Sequence, residues 1–116
     1  MTDKRRFPRL LKAESLSLTV TSSTHMLEQG ERLYCESVDI SPTGLQVILD
    51  RFIEKDSKVE LWMVLLENRR TYQLRGRVSW IEGRTEQGRE RFYAGIQLVP
   101  AEDSDFDNWL LLFSEE

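Results

Sequence analysis

The sequence predicts an all-β domain, a six-stranded antiparallel β-barrel followed by a C-terminal α-helix. Three observations carry that prediction. Apolar and polar residues alternate at period two through most of residues 15–99, the pattern of strands with one buried face. Short turn-forming stretches separate the alternating runs, which favours antiparallel neighbours. From residue 106 onward the apolar spacing becomes that of a helix. Closing such a sheet on itself removes the edges it would otherwise expose.

Each element has its own justification. Leu16, Leu18 and Val20 alternate with Ser15, Ser17, Thr19 and Thr21, giving a half-buried first strand. A polar stretch with Gly30 leads to a second strand over Leu33 to Ile40. Ser41-Pro42-Thr43-Gly44 is turn chemistry, because Pro presets φ and Gly permits positive φ. Leu45, Val47 and Leu49 open the third strand, and Val59, Leu61, Met63 and Leu65 form the fourth. In the fifth, Tyr72, Leu74, Val78 and Trp80 share a face, opposite Arg75 and Arg77. Phe92, Ala94, Ile96 and Leu98 give the sixth. Phe106, Trp109, Leu110 and Phe113 then fall on one helical stripe, with Ser104 or Asp103 expected as N-cap. Leu111 and Leu112 lie off that stripe, where they are free to cover a partner surface.

Composition narrows the function. The chain has 116 residues, 40% hydrophobic and 31% charged, which fits a single globular domain with a modest core. No apolar run approaches the ~20 residues needed to span a bilayer, so no membrane insertion is expected. A single cysteine, Cys35, excludes an internal disulfide framework and fits a reducing compartment, hence a cytoplasmic protein. The basic start lacks the apolar run of a signal peptide. Net charge is -4, yet residues 1–12 sum to +4 and residues 101–116 to -6. An acidic whole argues against binding long nucleic acid, which requires an extended basic footprint. A small basic patch suits a small anion.

Catalysis finds little support. His25 is the single histidine and lies in a polar connection, while Cys35 falls within a strand as a small core residue. No zinc-ligand spacing, histidine-containing triad or phosphate-binding glycine loop is present. The expectation is a binding protein, not an enzyme, with no metal and no cofactor.

Two segments do ask for a ligand. Arg5-Arg6-Phe7-Pro8-Arg9 carries three guanidinium groups, able to grip phosphate by bidentate hydrogen bonds and to read guanine O6 and N7. Asp39-Ile40-Ser41-Pro42-Thr43-Gly44 sets a carboxylate, a hydroxyl and a glycine at a turn. Taken singly, the first reads as a solvated tail and the second as a strand turn capped by its own side chains. A carboxylate beside a hydroxyl is also what the N1–H and N2–H donors of guanine would seek. A glycine there lets a ligand approach the backbone closely.

The two segments together resemble the signature of the PilZ domains, which bind the bacterial second messenger cyclic di-GMP. Arg5 and Arg9 match its Arg-x-x-x-Arg, and Asp39, Ser41 and Gly44 match its Asp/Asn-x-Ser-x-x-Gly. Gly76-Arg77-Val78-Ser79-Trp80 and Tyr93-Ala94-Gly95-Ile96-Gln97-Leu98 are similar to its late strands. The resemblance implies that Arg5 and Arg9 grip phosphates and guanines, with Arg6 adding a contact. Asp39 would accept from a guanine edge, Ser41 would bond to base or phosphate, and Gly44 would keep the turn open. Trp80 is either core, by its parity, or a ligand contact. Residues 1–14 would form a switch segment, ordered over the ligand when bound, and residues 15–116 the barrel with its helix. The output would be a changed surface read by a downstream protein partner. Two rival readings stay open: a ligand-independent protein adaptor using the Leu111/Leu112 edge, and a small-barrel RNA or single-stranded DNA module using the arginines.

Overall fold

The computed structural model describes residues 12–22 and 32–114. Among the described residues, seven strands and one helix follow in order: β1 Ala13–Ser22, β2 Arg32–Tyr34, β3 Glu36–Ser41, β4 Gly44–Leu49, β5 Lys58–Leu65, β6 Thr71–Glu86, β7 Arg89–Val99 and α1 Phe106–Leu111. All pairings are antiparallel, in the order β2-β1-β5-β6-β7-β4-β3.

The two edges of that sheet are β2 and β3, which Cys35 alone separates. They are two halves of the one strand that alternation marks over Leu33 to Ile40. The first half pairs with β1 and the second with β4, so a single bent strand joins both edges and closes the barrel. At the bend the Cys35 N–H donates to the Leu16 carbonyl at 3.1 Å, holding the corner against β1.

Inward-facing residues fill the interior. Ile40, Leu45, Ile96 and Val78 stand in register across four strands, and the last three of them are buried. Leu18, Leu61 and Leu74 form a matching inner row on β1, β5 and β6, each fully buried. Burying one such side chain stabilises the fold by roughly 1.5–3 kcal/mol.

Strands β6 and β7 extend past the barrel as a hairpin arm, where the sequence pattern shows no alternation. Its tip is a two-residue turn, Gln87 (φ 53°) and Gly88 (φ 79°), whose positive φ pair matches the twist of the flanking strands. Period two is silent there because the arm has no core beneath it, and Glu82, Gly83, Arg84 and Thr85 are all exposed. The arm is held by its polar groups: the Tyr93 hydroxyl donates to Glu86 Oε2 at 2.7 Å, and the Arg84 guanidinium lies 3.9 Å above the Tyr93 ring.

The helix closes one side of the barrel. Trp109 is fully buried, edge-on to Tyr72 at 5.6 Å and to Phe113 at 5.4 Å. The N-cap is Asp105 in place of the expected Ser104 or Asp103. Each of the three carries a different bond. Asp105 exchanges bonds with β6, its carboxylate accepting from the Gln73 N–H and its own N–H donating to the Gln73 carbonyl, both at 2.8 Å. Ser104 Oγ accepts from the Phe106 N–H at 3.4 Å, and Asp103 pairs with Arg75 at 2.9 Å. Leu112 packs on the core, whereas Leu111 is 66% exposed. Among the described residues no helix is long and apolar enough to cross a membrane.

Candidate functional site

The site grows from strand register. Direct antiparallel partners share a face, with Cβ atoms roughly 4.5–5.5 Å apart. Asp39 on β3 stands opposite Gln46 on β4, Gln46 opposite Gly95 on β7, and Gly95 opposite Trp80 on β6. The next outward row is Ser41, Gly44, Gln97 and Arg77. All of these residues except Arg77 line an open groove of about 440 Å³ on the outer wall of the barrel. The motif residues of the turn and Trp80, 41 positions from Asp39 in the chain, are thereby brought to one surface.

Trp80 lies on the outer face, 40% exposed, and does not follow the inward parity of Leu74 and Val78. The reason is a register shift: Val78 pairs with Ile96, but Trp80 pairs with Gly95, so Ser79 is an extra residue. A bulge of one residue exchanges the faces of everything after it. Ile81 consequently turns inward onto the core, and the Ser79 hydroxyl donates to the Gly95 carbonyl at 3.1 Å. The indole then lies over the Gly95 backbone, where an added Cβ would fall 2.1 Å from Trp80 Nε1. Only a glycine lets the ring lie this low, leaving its outer side toward the groove.

The turn is built tightly. The Ser41 hydroxyl donates to the Gly44 carbonyl at 3.0 Å and accepts from the Gly44 N–H at 3.2 Å. Gly44 serves close approach of strands: a Cβ there would meet the Ile96 carbonyl oxygen at 2.7 Å. Its φ is not in the left-handed region; among the described glycines that belongs to Gly88. From behind, the Leu98 N–H donates to the Thr43 carbonyl at 2.8 Å and the Trp109 indole N–H to the Pro42 carbonyl at 3.1 Å. The turn is thus fixed by β7 and by the helix.

Asp39 is exposed at the junction of two grooves. The second, also about 440 Å³, runs between β1 and β3 and is bordered by Lys12, Glu14, Ser37 and Val38. Arg5, Arg6, Arg9 and His25 lie outside the described residues. Among the described residues no group of His, Cys, Asp and Glu is arranged to hold a metal ion. Burial at the bend pushes the Cys35 thiol up from 9.0 to about 12, which suits a structural cysteine better than a nucleophile.

Sequence reasoning passed over Gln46, Gln97 and Gly95 as site residues, although parity marks all three as outward-facing. What it lacked was the pairing of β4 with β7, which brings them beside the motif turn.

The PilZ domain model matches residues 3–113. The chain belongs to the PilZ domain family. Solved structures similar in fold include the following two. One is described as the PilZ domain with c-di-GMP of YcgR from Escherichia coli, at TM-score 0.59 and 8% identity, covering 91% of this chain and 86% of that one. The other is the PlzA protein of Borreliella burgdorferi in complex with c-di-GMP, at TM-score 0.53 and 9% identity. That match covers 87% of this PilZ chain but 43% of PlzA. No curated protein sequence matches at a significant level.

Proposed function

We propose that this PilZ domain is a receptor for cyclic di-GMP, without catalytic activity, that relays ligand binding to a downstream protein. The observation that carries the reading is the outward row Asp39, Gln46, Gly95 and Trp80, which sets a carboxylate and an exposed indole at the two ends of one groove. A guanine in that groove stacks on Trp80 and gives its N1–H and N2–H to Asp39. Stacking of a base on an aromatic side chain is worth roughly 1–3 kcal/mol. Both relatives of similar fold are described as bound to c-di-GMP, which supports the same ligand here.

Arg5 and Arg9 supply the phosphate grip, with Arg6 beside them. Lys12 and Asp39 border one groove, and the backbone from Arg9 to Lys12 spans at most ~11 Å, so chain length permits the contact. Ordering the segment costs about 1–2 kcal/mol per fixed residue, which several charge-assisted hydrogen bonds of ~1.5–3 kcal/mol offset. Gly44 keeps the floor of the groove low, and Ser41 holds the turn that bears it.

The nucleic-acid reading would use the N-terminal arginines with Arg75 and Arg77, and the pairing of Arg75 with Asp103 weighs against it. The adaptor reading keeps one observation, the exposed Leu111. Calorimetry separates them. Intact protein is expected to bind cyclic di-GMP at or below roughly 10 µM, with strong weakening by Arg9→Ala and by Asp39→Ala. Absence of heat with cyclic di-GMP, alongside partner capture unaffected by Arg9→Ala, would leave the adaptor.

A further inference from the structure

One side chain of the groove, Gln97, has its hydrogen-bonding sense fixed by a neighbour, Arg77. Gln97 Oε1 accepts from Arg77 Nη2 at 3.1 Å. A guanidinium has donors and no acceptor, so the amide oxygen of Gln97 must face Arg77. The amide nitrogen, with two N–H groups, is then the end left for other partners. A free glutamine amide flips to suit donors or acceptors. Gln97 held this way offers donors.

Its position gives that polarity a use. Gln97 stands directly opposite Gly44, with Ser41 in the next place along the row. Between them the floor is backbone, since a Cβ on Gly44 would collide with the Ile96 carbonyl. Ser41 has its hydroxyl committed in both senses to Gly44, so a ligand acceptor over the floor gains no donor there without opening the turn. Gln97 is exposed and lines the same groove.

We infer that Gln97, oriented by Arg77, is the neutral donor of this site and bonds an acceptor of the ligand, either guanine N7 or a phosphate oxygen. Arg77 is a positioning residue that acts through Gln97. The inference rests on the cyclic di-GMP reading and extends it to two residues outside the family motif.

The test is calorimetric titration of the intact chain with cyclic di-GMP. Gln97→Ala is expected to weaken binding about tenfold, the value of one well-formed hydrogen bond. Gln97→Glu is expected to weaken it further, because it replaces donors with a negative charge against a dianion. Arg77→Met is expected to weaken binding in the native background yet add nothing to Gln97→Ala, whereas Arg77→Lys, which still only donates, restores most of the affinity. Two analogues identify the acceptor: the gap between native and Gln97→Ala protein narrows with 7-deazaguanine if N7 is the partner, and with a phosphorothioate if a phosphate is. Circular dichroism of each variant checks that the exposed substitutions leave the fold intact. Native protein that binds while Gln97→Ala and Gln97→Glu bind equally well overturns the inference alone, as does a gap that neither analogue narrows. Native protein that takes up no cyclic di-GMP overturns the parent reading with it.

Discussion

The indole N–H of Trp109 donates to the carbonyl of Pro42 at 3.1 Å, so the most deeply buried side chain of the C-terminal helix is bonded to the middle of the motif turn. Helix and motif turn are therefore joined directly. The exposed Leu111 lies two residues beyond Trp109 on the same helix.

Two substitutions separate the parts of that joint. Trp109→Ala removes a fully buried aromatic and is expected to cost about 3–5 kcal/mol, a large share of a small domain's stability. Trp109→Phe keeps the ring packing on Tyr72 and Phe113 but leaves the Pro42 carbonyl without its donor, at about 1–3 kcal/mol. Urea denaturation measures both. In calorimetry Trp109→Phe should also weaken cyclic di-GMP binding, although it lies behind the turn and outside the groove.

Gly95 tests whether the indole plane matters. In Gly95→Ala the new methyl would lie 2.1 Å from Trp80 Nε1, so the ring must leave its seat. The expected result is a shift in tryptophan emission and a fall in affinity close to that of Trp80→Ala, roughly tenfold for the loss of one stacked base. Trp80→Ala itself should change stability by less than about 1 kcal/mol, because the side chain is substantially exposed. A Gly95→Ala protein that keeps native emission and affinity would refute the stacking role.

The β3–β4 and β6–β7 turns predict opposite outcomes for the same change. Gly44→Ala drives a Cβ to 2.7 Å from the Ile96 carbonyl, backbone that cannot rotate away, and is expected to cost about 1–3 kcal/mol together with ligand affinity. Gly88→Ala meets nothing within 4 Å and suffers only its positive φ, about 1 kcal/mol, at the tip of an arm remote from the groove. Thermal melting and cyclic di-GMP titration of both proteins check the contrast. Equal affinities would remove Gly44 from the site.

These contrasts also mark what alternation can and cannot convey. Leu45, Val47 and Leu49 announced β4 because each faces a core, and Phe106, Trp109 and Phe113 announced the helix for the same reason. Asp39, Ser41 and Gly44 were legible as a group because turn chemistry is local. Parity alone leaves Trp80 open between core and ligand contact, and the extra residue Ser79 leaves no trace in hydrophobicity, since Ile81 and Trp80 are both large and apolar. The arm of β6 and β7 was silent because it has no buried side. Gln97 and Gln46 needed the pairing of strands far apart in sequence, which no period reports.

Cys35 supplies a pH-dependent readout of the corner that closes the barrel. Burial raises its thiol from 9.0 to about 12. A raised value means that the folded chain holds the proton more tightly than the unfolded chain. The corresponding stability is therefore complete below pH 9.0 and is lost as pH climbs from there toward about 12. Iodoacetamide labelling of the native protein at pH 8 is expected to be far slower than that of the urea-unfolded chain, because the reactive thiolate is suppressed. Melting temperatures compared between pH 8 and pH 10.5 should fall more for the native protein than for Cys35→Ala, which cannot ionise. Cyclic di-GMP affinity at pH 8 should be the same for both, since Cys35 does not line the groove between Asp39 and Trp80. Rapid labelling of the folded protein would show that the corner is open, and with it that the bent strand does not seal the two edges.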